Sequence, residues 1–166
     1  CAEKIKILPD GTIPQVEVTS CGLNGGPLIA EGVYPAIICC NLMNYRMPHG
    51  KCPEIRLPHI ICKNDERIIA EIDNNTHIGF KYFKFSGPTK LDVLYRAGEL
   101  PPNGKILVKL EEYGDPVAEI PLGNPSSWEK ANAILNVDRN TVIPLFLVYQ
   151  GEGEIELKEI EFIPLS

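Results

Sequence analysis

Two short spacings place metal-binding side chains together: His49-x-x-Cys52 and His59-x-x-Cys62. Two imidazoles and two thiolates can close a tetrahedral zinc site. Chelation by residues three apart needs a turn inside each motif, because in an extended chain they face opposite sides. Pro48 and Gly50 permit a turn in the first motif, whereas Leu57 to Lys63 reads as extended. No metal centre is therefore expected. Carboxylates are plentiful, Asp65, Glu66, Glu71, Asp73, Glu111 and Glu112 among them. Hydrolysis of a glycosidic bond needs a pair about 5 to 10 Å apart, and no motif selects one. A Cys/His nucleophilic pair would lack a third group to orient it. There is no GxSxG, HExxH or phosphate loop, and the Gly22 to Gly26 coil has no helix behind it to hold a phosphate.

The composition narrows the class. The chain has 166 residues, which fits one domain with a tail and is enough to bury about two-thirds of the unfolded surface. Its hydrophobic content of 44% and charged fraction of 23% are those of a soluble globular protein. A net charge of −6 argues against nucleic acid, whose phosphates demand a basic footprint. No apolar run is long enough to suggest a membrane partner. The six cysteines, Cys1, Cys21, Cys39, Cys40, Cys52 and Cys62, all precede the most regular part of the chain. A disulfide framework would tie that part together, so free thiols in a reducing cytoplasm are expected. The chain begins at Cys1 without Met or a signal-peptide pattern and reads as an excised piece.

The elements that must position any site are strands. Residues 1–30 form a tail or linker: Lys4 to Leu8 could be a short strand, Asp10-Gly11 is a turn, and Gly22 to Pro27 cannot be the interior of a regular element. From Glu31 the pattern is β, and residues 31–166 form the domain. Ala36 to Asn41 is short and apolar, and prolines break residues 42–60 into a long loop. Strands are expected at Arg67 to Ile72, Ile78 to Phe85, Leu91 to Tyr95, Ile106 to Leu110, Val117 to Pro121, Ala131 to Val137 and Ile143 to Tyr149. In the last strand Ile155 and Leu157 alternate with glutamates, and Ile160 and Phe162 continue out of phase, which calls for a bulge near Lys158-Glu159. Short strands separated by turns predict an all-β fold, an antiparallel β-sandwich of jelly-roll type with an irregular N-terminal tail.

Two stretches resemble one kind of protein. Asp10-Gly11-Thr12-Ile13-Pro14-Gln15-Val16-Glu17-Val18-Thr19-Ser20, continuing to Pro27, resembles the exit from the catalytic propeller of a family 43 glycoside hydrolase. Gly79-Phe80-Lys81-Tyr82-Phe83-Lys84-Phe85 resembles a strand of the β-sandwich appended to such enzymes, which is similar to family 6 carbohydrate-binding modules. The resemblance covers roughly residues 34 to 166 for the sandwich. It implies a non-catalytic accessory module, joined to the catalytic domain of a hydrolase acting on xylose- or arabinose-containing polysaccharide. The alternative is a structural module that docks on the hydrolase domain without binding sugar. In such modules two aromatic rings clamp a sugar and an Asn bonds its hydroxyls. The ring receives the sugar's apolar C–H face, and the hydroxyls need polar partners, since each one left dry and unpaired costs free energy. Matched residue by residue, Trp128 stands at the position of the loop Trp, Glu71 near that of the partner aromatic and Glu156 near that of the Asn. The resemblance implies a second surface on the concave sheet face, where Tyr82, Tyr95, Tyr113 and Tyr149 could supply rings. Such modules also bind structural calcium. Here only Glu31 stands near the first strand, so no cofactor is expected.

Overall fold

Alternation of apolar and polar residues becomes alternation of buried and exposed faces. The computed structural model describes residues 2–45 and 56–165. Among them the strands are β1 (Leu28–Ile29), β2 (Gly32–Pro35), β3 (Asn41–Met43), β4 (His59–Lys63), β5 (Glu66–Ile72), β6 (His77–Phe85), β7 (Thr89–Ala97), β8 (Asn103–Lys109), β9 (Pro116–Pro121), β10 (Glu129–Leu135), β11 (Thr141–Glu152) and β12 (Ile155–Pro164). They form two sheets. The first runs β1-β6-β11-β8-β9, with β3 also on β6; the second runs β10-β7-β12-β5-β4, with β2 also on β12. Every pair is antiparallel except β1 with β6, which is parallel. The architecture is the expected all-β sandwich.

The inner faces meet over a core of Phe80, Phe83 and Phe85 from β6, Leu145, Leu147 and Tyr149 from β11, Leu91, Val93 and Tyr95 from β7, and Phe162 from β12. Phe83 and Phe162 touch across the two sheets with ring centroids 4.5 Å apart. Such tilted aromatic pairs add to area burial. Irregularities fall where the sequence demands them. The register of β12 on β7 shifts between Leu157 and Glu159, so Lys158 is the extra residue that returns Ile160 and Phe162 to the core side. On its other side β12 shifts register against β5, where Glu71 has a positive φ of 56°. β11 shifts against β6 between Ile143 and Leu145; Pro144 lies between them and has no N–H to give the ladder.

The N-terminal stretch differs from expectation. Lys4 to Leu8 forms no strand, and Ile5 and Ile7 are 60% and 64% exposed. A strand exists only through its partners, and among the described residues none pairs with this stretch. The Asp10-Gly11 turn is present: Thr12 N–H donates to Asp10 Oδ1 at 3.0 Å, and Gly11 has φ 84°. The tail is fastened further on. Ser20 N–H donates to the Lys81 carbonyl, Lys81 N–H donates to Ser20 Oγ at 3.2 Å, and Tyr82 N–H points at Cys21 Sγ at 3.3 Å. Glu3 Oε1 accepts from both N–H and Oγ1 of Thr19 at 2.7 and 2.8 Å. Ala36–Ile38 is a 3₁₀ turn rather than part of a strand. Cys21, Cys40 and Cys62 are free thiols, and burial pushes the Cys39 thiol up to about 12.

Candidate functional site

β7, β12 and the approach to β10 bring the sequence-derived residues towards one another. Glu156 on β12 lies directly opposite Arg96 on β7, and both point away from the core because Ile155, Leu157 and Tyr95 point into it. Arg96 forms a two-nitrogen ion pair with Glu156 Oε2 through Nε and Nη2. The same guanidinium lies over the Trp128 ring, its central carbon 4.4 Å from the centroid. Lys158 Nζ is 5.7 Å from that ring and donates to Glu66 Oε1 at 2.6 Å. That bond holds the Glu66 carboxyl below its ordinary range. Trp128 is therefore half-buried and carries a guanidinium against its π system, an attraction of electrostatic origin.

Beside this group is a depression of about 170 Å³ whose lining includes Glu71, Glu156, Arg56, His59, Glu99 and Glu154. Glu71 and Glu156, both singled out by matching to one family pattern, thus share one concavity. Trp128 is its neighbour, joined through Arg96. Glu71 takes Arg56 Nη2 at 3.3 Å and lies 3.6 Å from His59 Nδ1. Arg56 also reaches Glu99 and the buried Glu154, each at 3.2 Å. Burial raises the Glu154 carboxyl above its ordinary value, and Arg56 acts against that rise. The depression is polar and already engaged in ion pairs. Arg96 and Arg56, which organise it, were not singled out in the sequence. Arg96 shared the outward alternation of Lys90, Asp92 and Leu94, but its partner stands sixty residues away.

The four tyrosines do not gather on one face. Tyr95 and Tyr149 are buried in the core; the Tyr95 hydroxyl accepts Gly123 N–H at 2.7 Å, and the Tyr149 hydroxyl donates to the Glu152 carbonyl. Tyr82 donates to Glu17 on the tail at 3.0 Å. Tyr113 is 80% exposed, with its ring 6.5 Å from that of Tyr45. Tyr45 stacks edge-on against His77 at 4.8 Å and donates to Glu112 at 3.2 Å. Beneath them, on the outer face of the first sheet, a larger cleft of about 410 Å³ is lined by Asn74, Asn75, His77, Leu107, Lys109, Val148 and Gln150.

Of the two His-x-x-Cys motifs, His49 and Cys52 lie outside the described residues. His59 and Cys62 sit on the extended β4. Glu156 and Glu161 of the last strand are paired with Arg96 and Lys130. Among the described residues no group of three or more His, Cys, Asp or Glu is placed to hold a metal ion.

No family model matches the sequence. The fold is that of family 6 carbohydrate-binding modules: the module CsCBM6-3 from Clostridium stercorarium, solved with cellobiose, superposes over 85% of this chain and 99% of its own at a TM-score of 0.65 and 18% identity. A family 43 arabinoxylan arabinofuranohydrolase from Bacillus subtilis, solved with cellotetraose, matches 98% of this chain and 33% of its own at a TM-score of 0.62 and 16% identity. In sequence, the chain is 32% identical over 168 residues to a xylosidase/arabinosidase of Thermoclostridium stercorarium, across 95% of this chain. It spans 35% of the length of that relative. The carbohydrate-binding-module sandwich and the kinship with a xylosidase/arabinosidase both agree with the resemblance drawn from sequence.

Proposed function

We propose that the chain is a non-catalytic sugar-binding module that serves a glycoside hydrolase acting on xylose- or arabinose-containing polysaccharide. The observation that carries this reading is the near-complete match of the chain to one third of a xylosidase/arabinosidase, in a part folded like a carbohydrate-binding module. The contact surface is the depression of Glu71 and Glu156 with Trp128 at its side. The carboxylates accept hydrogen bonds from sugar hydroxyls, and the indole offers an apolar face to a pyranose. Titration of xylo- and arabino-oligosaccharides, read by the emission of Trp128, tests it. A saturable change that Trp128→Ala abolishes supports the reading. A silent titration at millimolar sugar on a folded chain opposes it.

A second reading has its own support: the module docks on the hydrolase domain and binds no sugar. Arg96 already covers the Trp128 ring. The tail leaves Ile5, Ile7, Ile13, Val18 and Leu23 more than half exposed, an apolar strip suited to a partner surface. The hydrolase structure also matches more of this chain than the isolated module does. On this reading sugar titration is silent, and the amides near Ile5 and Ile7 gain hydrogen-exchange protection only in the full-length hydrolase.

A further inference from the structure

Three side chains stand in a row on the outer side of the second sheet. The register of β10 on β7, with Glu129 opposite Tyr95, brings Trp128 beside Arg96. The register of β12 on β7 puts Glu156 directly across from Arg96 on its other side. Arg96 therefore stands between the indole and Glu156. Its guanidinium bonds Glu156 Oε2 through two nitrogens, while its central carbon lies 4.4 Å from the centre of the Trp128 ring. That is contact distance for heavy atoms, so no second layer fits between the two. The ring face that looks along the row, towards Glu156 and the depression it shares with Glu71, is thus occupied by a cation of this chain itself.

The cover is of a kind that another flat, apolar surface can replace. A guanidinium binds a carboxylate with its rim and an aromatic ring with its plane, so the two contacts of Arg96 are separable. Both of its nitrogens bond Glu156 Oε2, which leaves Oε1 to accept from a hydroxyl. The hold of an exposed cation on an indole is modest, about twofold to fivefold in an equilibrium constant. A pyranose that lays its C–H face on the ring uses the same surface, so guanidinium and sugar exclude one another there. Lys158 is different. Its Nζ stands 5.7 Å from the ring and is tied to Glu66 at 2.6 Å, a charge near the indole that does not cover it.

We propose that Arg96 sets the sugar affinity of this site by occupying the stacking face of Trp128 until a sugar ring displaces it. The exchange is a side-chain movement. The guanidinium leaves the indole and keeps Glu156, the sugar ring takes the vacated face, and its hydroxyls meet Glu156 Oε1 and Glu71. This role for Arg96 rests on the sugar-binding reading and adds to it a residue that opposes binding. It also separates a site that is covered from one that is lost.

The test is calorimetry with a neutral xylo-oligosaccharide on the wild type, Arg96→Met, Arg96→Lys and Lys158→Gln, with acrylamide quenching of Trp128 emission on the same folded proteins without sugar. Arg96→Met bares the ring and is expected to bind sugar about twofold to fivefold more tightly than the wild type and to be quenched more readily. A merely structural role for Arg96 would weaken binding instead. Arg96→Lys keeps a cation for Glu156 but has no plane to lay on the indole. It should gain affinity by a smaller factor, and it keeps the test sound if the methionine variant folds poorly. Lys158→Gln should gain less than Arg96→Met, because Lys158 does not lie on the ring. Sugar binding by both Arg96 variants that is no tighter than that of the wild type overturns the role of Arg96, while the sugar-binding reading stands on the wild-type heat. An equal gain from Lys158→Gln would assign the effect to net charge and overturn it too. No heat from any of the four proteins overturns both.

Discussion

Replacing Arg96 by Met isolates what the guanidinium does between Trp128 and Glu156. The methionine keeps the apolar stem that packs along the sheet and removes the charge. Loss of the contact over the indole costs about 0.5–1 kcal/mol. The ion pair is more sheltered than a surface pair, with the side chains 23% and 14% exposed. Leaving Glu156 without its partner therefore costs about 1–3 kcal/mol. Together the expected destabilisation is roughly 1.5–4 kcal/mol, or about 3–16 °C in Tm for a domain of this size. Urea unfolding followed by Trp128 emission measures it, since this is the chain's single tryptophan, and the native emission itself should change as the ring loses its cation. Glu156→Gln in the Arg96→Met background should cost far less than in the wild type, because the two changes remove one interaction. A loss below about 0.5 kcal/mol, within the range of an ordinary surface substitution, with unchanged native emission, would refute the placement of Arg96 on Trp128.

Other consequences follow from packing and protonation. A Cβ on Gly79 would stand 2.6 Å from Phe146 Cε1 and 3.0 Å from Asn41 Cβ. Gly79→Ala should thus destabilise by about 1–3 kcal/mol in denaturant unfolding, and Phe146→Leu in the same chain should recover part of the loss. Tyr95→Phe removes the acceptor of Gly123 N–H and should cost about 1 kcal/mol by the same assay. His77 has a folded value below its ordinary 6.5, so between the two the unfolded chain binds more protons and stability rises with pH. That contribution is complete above 6.5 and is lost as pH falls towards the folded value. His77→Gln should flatten this part of the urea-midpoint profile between about pH 5 and pH 8.

The strands were legible because a two-residue period survives in β7, β8 and β12, and even the bulge at Lys158 was written in the phase slip from Leu157 to Ile160. The unpaired state of the tail was not, since Ile5 and Ile7 alternate like a strand but have no strand to pair with among the described residues. The Ala36–Ile38 turn was hidden for a related reason: a short apolar run fits a buried 3₁₀ turn as well as a strand. At the site, matching to a family pattern singled out Glu71 and Glu156, and the two line one depression. The cover on Trp128 was invisible, because Arg96 meets Glu156 only through the β7–β12 register. The cleft lined by His77 and Lys109 was invisible for the same reason. Its residues come from three strands that are neighbours in the sheet and distant in the chain.

The central claim, a sugar-binding module, is tested most directly by amide chemical-shift mapping of the chain against a xylo-oligosaccharide. The account predicts saturable shifts that cluster at Trp128, Arg96, Glu156 and Glu71 and leave the core strands unmoved. A well-dispersed spectrum with no shift at millimolar sugar would contradict it and leave the docking module as the reading that stands.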